Sequence, residues 1–223
     1  MLRLDQAARV GILALASGAA FGAPATTSSP ADAGAVNAVW VDHDLAFTYM
    51  GFTTHYSCSG MEDKLKYVLK QLGARPGYKV TSSGCVNMSG PEIMPRARVR
   101  AALPMEATPE LLAQLAKDRS TRELAAKVGG KPAASADAAT AQFPAVWRTV
   151  TFEGTPISDV QDGDCELMEQ LLRQVLKPMG VREVAGSSLS CVPHQVPLNA
   201  VNLKLQALSP REEPAKSATK AKP

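Results

Sequence analysis

Apolar positions recur along residues 58–73 with the period of one helix face. Met61, Leu65, Val68, Leu69 and Leu72 fall at i, i+4, i+7, i+8 and i+11. Met168, Leu172, Val175, Leu176 and Met179 repeat the pattern in residues 165–180. Both stretches run from a cysteine to a glycine in the same number of steps, Cys58 to Gly73 and Cys165 to Gly180. The spacing predicts two amphipathic helices. Ser57 and Asp164 stand just before them, where a side-chain oxygen can accept from the first free N–H groups. Ser59 with Glu62 offers an alternative capping box. Gly73 and Gly180 suit the left-handed residue that follows a helix, and Pro178 is expected to end the second helix a few residues early.

Period-two alternation predicts the strands. Leu45, Phe47 and Tyr49 alternate with Ala46, Thr48 and Met50 inside Trp40–Ser57, and Val150 and Phe152 alternate with Thr149 and Thr151 inside Trp147–Glu153. A short strand is expected over Tyr78–Thr81, then a loop holding Cys85 and another holding Pro91 and Pro95. Arg96 to Leu103 reads as a closing strand, with Arg96, Arg98 and Arg100 on one face and Ala97, Val99 and Ala101 on the other. Further on, Asn202, Lys204 and Gln206 alternate with Leu203, Leu205 and Ala207 in the same way.

The two helices are the centre of a longer match. Trp40 precedes Cys58 by 18 residues, as Trp147 precedes Cys165. Cys85 and Cys191 align within one residue, and from there Val86, Pro91, Ala101 and Pro104 match Val192, Pro197, Ala207 and Pro210. We read a tandem duplication of a small β-α-β-β unit, over 38–105 and 143–210. The expected fold class is α+β, with helices packed on one face of antiparallel sheet. The pattern leaves open whether the units share one sheet. Residues 106–142 form a linker, helical from Thr108 and Pro109 to about Val128 and flexible from Gly129 to Gln142. Residues 26–37 read as a flexible lead-in and 211–223 as a disordered tail.

Composition sets the compartment. Arg3, Arg9 and the short apolar run Val10–Ala20 mark residues 1–25 as a secretory signal peptide, too short for a good membrane span. The chain is therefore expected in the periplasm or outside the cell. Its 223 residues carry a formal charge of only +3, which does not point to nucleic acid. Four cysteines in an exported chain imply disulfides. The repeat favours Cys58–Cys85 and Cys165–Cys191, each tying a helix start to the loop after the next strand. Units of about 65 residues have marginal cores that a staple would strengthen.

Candidate chemistry is sparse. The absence of Cys-x-x-Cys weighs against a redox pair. Cys58-x-x-Met61 and Cys165-x-x-Met168 pair thiolate and thioether sulfur, soft ligands suited to copper(I). The strand–Cys–helix layout also resembles the heavy-metal-associated domain. That family uses two cysteines in its metal loop, and here Met61 and Met168 replace the second and already open the apolar stripe. No metal or cofactor is therefore assigned. His43, His55 and His194 have no counterpart across the repeat. Asp42-His43-Asp44 could hold a ring or a metal, and His55 lies close to Ser57 and Cys58. No Gly-x-Ser-x-Gly, His-Glu-x-x-His or phosphate loop occurs, so no catalytic residue is named. A hydrolase site assembled in space is the enzyme alternative. Arg96, Arg98 and Arg100 form a donor row able to meet carboxylate or phosphate groups.

The signal segment, the run Phe47–Cys58 and the run Gly163–Leu167 together resemble uncharacterised exported proteins of Gram-negative proteobacteria. The resemblance covers most of the mature chain, and it implies an exported protein without implying an activity. The sequence thus reads as a non-enzymatic envelope or periplasmic binding module. An anionic envelope component is the candidate partner through the arginine row, and a hydrolase or a Cys/Met copper protein is the alternative.

Overall fold

A computed structural model describes residues 34–85, 90–129 and 141–211. The expected signal peptide, most of the lead-in and of the flexible linker, and the tail after Arg211 lie outside the described residues, while Ala35, Val36 and Asn37, expected in the flexible lead-in, begin a strand because they pair with Val146, Ala145 and Pro144. Seven strands occur among the described residues: β1 (Ala35–Thr48), β2 (Lys79–Ser83), β3 (Arg96–Glu106), β4 (Phe143–Glu153), β5 (Arg182–Glu183), β6 (Ser188–Leu189) and β7 (Val201–Pro210). The helices are α1 (Cys58–Gln71), α2 (Pro109–Val128) and α3 (Cys165–Leu171), the last continued by a π-helical stretch, Leu172–Leu176. Pro178 follows that stretch, in line with an early end to the regular helix.

All strands join one antiparallel sheet of order β2-β3-β1-β4-β7-β5, with β6 also on β7. The fold class is α+β, as the alternation implies. The two halves meet through Ala35–Ala38 of β1 against Phe143–Val146 of β4. Val36 faces Ala145 and Ala38 faces Phe143, while Asn37 faces Pro144. Residues separated by the Trp40-to-Trp147 spacing thus exchange partners about the Asn37–Pro144 pair. The closing strands depart from the gapless match. Trp40 stands opposite Pro104, but Trp147 stands opposite Leu208, two residues before Pro210. The second half also carries one extra short strand, β6.

Local chemistry sets the helix ends. The Ser57 hydroxyl accepts from the Gly60 N–H at 3.1 Å and starts α1. Asp164 does not cap α3 in the same way, because its carboxylate is used elsewhere. The N-cap of α1 is Ser57, and Glu62 also has a partner on β2. Glu62 accepts from the Ser82 N–H at 2.7 Å and the Ser82 hydroxyl at 2.6 Å, which joins α1 to β2. Gly73 and Gly180 follow their helices at φ +80 and +81. Thr108 caps α2 with Pro109 at its first turn, as expected.

The apolar faces of α1 and α3 meet the same side of the sheet. Phe47, Val99, Leu103, Leu203 and Leu205 from the strands are buried with Leu65, Leu69, Met168 and Leu171 from the helices. Each fully buried side chain of this size stabilises by about 1.5–3 kcal/mol. Each helix also reaches into the other half. Tyr67 of α1 meets Phe152 of β4 with ring centres 6.4 Å apart, and Arg148 of β4 donates to the Gln71 carbonyl at 2.8 Å. The opposite face of the sheet holds a small cluster of Ala38, Ala145 and Leu208, with Trp40 and Phe143 rings in contact at 5.3 Å. Trp40 and Asp42 on that face share a groove with Leu115 and Arg122 of α2, a helix with no buried residue.

Two disulfides, Cys58–Cys85 and Cys165–Cys191, close one bridge within each half, with Cα separations of 6.4 and 5.4 Å. No helix among the described residues is long and apolar enough to cross a membrane.

Candidate functional site

Buried polar groups concentrate where the chain after β1 runs along α3. Glu166, Gln170 and Gln174 lie one turn apart on a single helix face. The spacing of about 6 Å between such residues matches two residues of extended chain. Gln174 accordingly accepts from the Thr48 N–H at 3.0 Å and donates to its carbonyl at 2.9 Å. Gln170 makes the same pair with Met50, at 2.9 Å in both directions. Glu166 completes the row by accepting from the Phe52 and Thr53 N–H groups at 2.8 and 3.0 Å. Gly51 admits this approach, because a Cβ there would collide with the Tyr49 hydroxyl.

Next to the row, the Tyr49 and Tyr56 rings cross edge-on at 5.0 Å. Tyr56 donates to Asp164 at 2.5 Å, and Lys64 of α1 reaches the same carboxylate at 2.7 Å. Asp164 also accepts from the Gln161 N–H at 2.7 Å, which explains why it does not cap α3. Burial, followed by the nearby carboxylates, pushes both tyrosine hydroxyls well above their ordinary range. They are neutral donors at neutral pH. Carboxylates, tyrosines and a lysine here resemble the contents of an active site, yet each is engaged by backbone or by another member of the cluster. The arrangement fastens the two halves together.

The outward face of the sheet differs. Arg96, Arg98 and Arg100 are exposed on alternate positions of β3, as the sequence predicts. The row is not free, however. Arg98 grips Asp44 with two nitrogens at 2.5 and 2.9 Å, and Arg100 reaches the same carboxylate at 3.2 Å. Hydrogen bonding from Arg98 holds the Asp44 carboxyl below its usual range. Asp44 therefore serves the arginines rather than a ring or metal at His43. Arg96 alone of the three keeps no ion pair among the described residues.

Arg100 also lines a groove of about 810 Å³ between β1, β3 and the loop before β2. Arg75 enters it from that loop, Lys79 from the start of β2 and Arg122 from α2, against the two carboxylates of Asp42 and Asp44. Arg75 lies over the Trp40 ring, its guanidinium carbon 5.8 Å from the ring centre. Arg182 sits over Trp147 at 4.1 Å. The two arginines stand at the same spacing from their tryptophans, a sequence signal that the repeat contained and that the pattern of apolar positions did not bring out. Arg75, Lys79 and Arg122 have no carboxylate partner among the described residues.

The remaining candidates are dispersed. His43 is partly buried, and burial holds its imidazole below the usual range despite Asp42. His55 is exposed on the loop after β1. His194 meets Phe52 edge-on at 5.9 Å. None of the three makes a side-chain hydrogen bond among the described residues. Met61 and Met168 are fully buried in the core, and Cys58 and Cys165 are bonded to cysteine, so neither sulfur pair offers a thiolate. No group of three metal-ligating side chains occurs among the described residues.

The outward groove thus gathers Arg75, Lys79 and Arg122, which have no carboxylate partner among the described residues, beside Arg100, which is paired with Asp44. Compared with family models, curated proteins and solved structures, the chain matches none.

Proposed function

We propose that this chain is an exported, disulfide-stapled envelope or periplasmic module that binds an anionic partner on its outward sheet face and carries out no reaction. The observation that supports the reading is the groove at β3. Arg75, Lys79, Arg100 and Arg122 converge there against only Asp42 and Asp44. Four donors with an excess of positive charge attract carboxylate, sulfate or phosphate groups, and guanidinium geometry favours two-point contacts with them. The buried acids and tyrosines support the non-enzymatic part of the reading, because they are consumed in joining the halves. Two disulfides fit an oxidising, extracytoplasmic setting. Resemblance to exported proteobacterial proteins and the charged, short apolar start agree with that placement.

Retention on immobilised dextran sulfate tests the idea against neutral dextran as the blank. The mature chain is expected to be retained on the sulfated matrix, to elute with added salt, and to pass through the neutral one. Passage through both would exclude a polyanion-binding face.

A further inference from the structure

Ten large apolar side chains are exposed among the described residues, and seven of them belong to three loops that hydrogen bonds tie together. Met50 and Phe52 stand on the loop after β1, 55 and 61% exposed. Ile93 and Met94 precede β3, and Val192, Val196 and Leu198 follow Cys191. Backbone bonds bring the loops together. The Tyr49 N–H donates to the Pro95 carbonyl at 3.0 Å, and the Glu92 N–H to the Tyr56 carbonyl at 3.0 Å. Thr53 Oγ1 joins the third loop, donating to the Val192 carbonyl at 3.3 Å and accepting from the His194 N–H at 3.1 Å. A contiguous apolar patch on a protein surface marks a contact site.

We infer that these three loops form a docking surface for an anionic lipid bilayer, into which their apolar tips insert. Charge selects this occupant. Glu92 is the only acidic residue in the loops over 50–56, 90–95 and 191–199, so little charge is dragged into an apolar phase. Arg96 borders the patch next to Met94 and keeps no ion pair among the described residues, which suits a phosphate headgroup. Two copies facing each other through these loops would bring their Arg96 side chains onto one rim, where like charges repel. The tips are also held ready. Cys58 closes the base of the first loop and Cys191 opens the third, and both are in disulfides. Four prolines, Pro91, Pro95, Pro193 and Pro197, stiffen the second and third loops. Little ordering then remains to be done on binding. The surface is separate from the cationic groove, since Met94 and Arg100 lie about 20 Å apart along the strand direction.

Vesicle flotation tests this with the intact mature chain. Vesicles of phosphatidylethanolamine with phosphatidylglycerol are compared with pure phosphatidylcholine, and analytical ultracentrifugation follows self-association in parallel. Wild type is expected to float with the anionic vesicles. Met50→Ser/Phe52→Ser/Leu198→Ser should weaken partitioning by about 100-fold or more, since three side chains lose their apolar burial. Arg96→Gln should weaken binding to the anionic vesicles by about fivefold. Leu124→Ser, an exposed site on α2, should change nothing, and circular dichroism should confirm that every variant is folded. Undiminished flotation of the triple variant would overturn the proposal. So would a wild type that floats with neither vesicle, including one that instead self-associates through Phe52.

Discussion

Gln170 does with one side chain what a neighbouring strand does with its backbone. Its carboxamide accepts from the Met50 N–H and donates to the Met50 carbonyl. Removing it leaves two backbone groups without a partner, each of which costs about 1–3 kcal/mol when buried. Gln170→Ala should therefore lower stability by about 2 kcal/mol in urea denaturation. Gln170→Glu should cost at least as much, because a carboxylate cannot donate and would face the Met50 carbonyl. The tyrosines give a second test at this scale. Burial and nearby carboxylates raise both hydroxyl pKa values above the ordinary value of 10.0. The folded state therefore holds its protons where the unfolded chain releases them, so this stability is fully present below about pH 10 and lost as pH rises further. With two hydroxyls the loss approaches about 2.7 kcal/mol per pH unit. Tyr49→Phe/Tyr56→Phe should start less stable at neutral pH yet decline less steeply above pH 10, as read by denaturation midpoints.

The elements that could be read from the chain are those fixed by local chemistry. The apolar stripe of α1 is complete within 58–72, Thr108 with Pro109 starts α2, and Gly73 and Gly180 end their helices. Cysteine spacing belongs to the same category, and the separations of 27 and 26 residues are those of the expected pairs. Closing loops of this size removes chain entropy worth roughly 3.5 kcal/mol per bridge. Cys58→Ser/Cys85→Ser and Cys165→Ser/Cys191→Ser should each lower unfolding free energy by about that amount. Non-reducing peptide mapping of the wild type should find only links within each half. Partners distant in sequence could not be read in this way. Glu166, Gln170 and Gln174 form a polar stripe that any solvated helix face would display, and only the fold shows that the chain after β1 lies along it. Asp164 stands where a cap belongs, but Tyr56 and Lys64 claim its carboxylate.

At the scale of the whole molecule, the two halves form one sheet and interlock through their helices, so neither half presents a complete core alone. The candidate site has the same character. Arg75, Lys79, Arg100 and Arg122 come from three separate stretches of chain, and no local pattern brings them together. The arginine row on β3 was legible, because alternation fixes which way its side chains point. Its partial neutralisation was not, because Asp44 reaches Arg98 and Arg100 only once β1 and β3 are paired in register. The central claim is that the groove cations bind an anionic partner. The most direct measurement is the salt dependence of binding to soluble dextran sulfate for wild type and for Arg75→Gln/Lys79→Gln/Arg122→Gln. Cations that contact a polyanion release its counterions, so log K should fall with log salt, and the variant should bind more weakly with a shallower slope. Arg173→Gln, exposed on the helix side, should behave as wild type. A triple variant with wild-type affinity and slope would contradict the account.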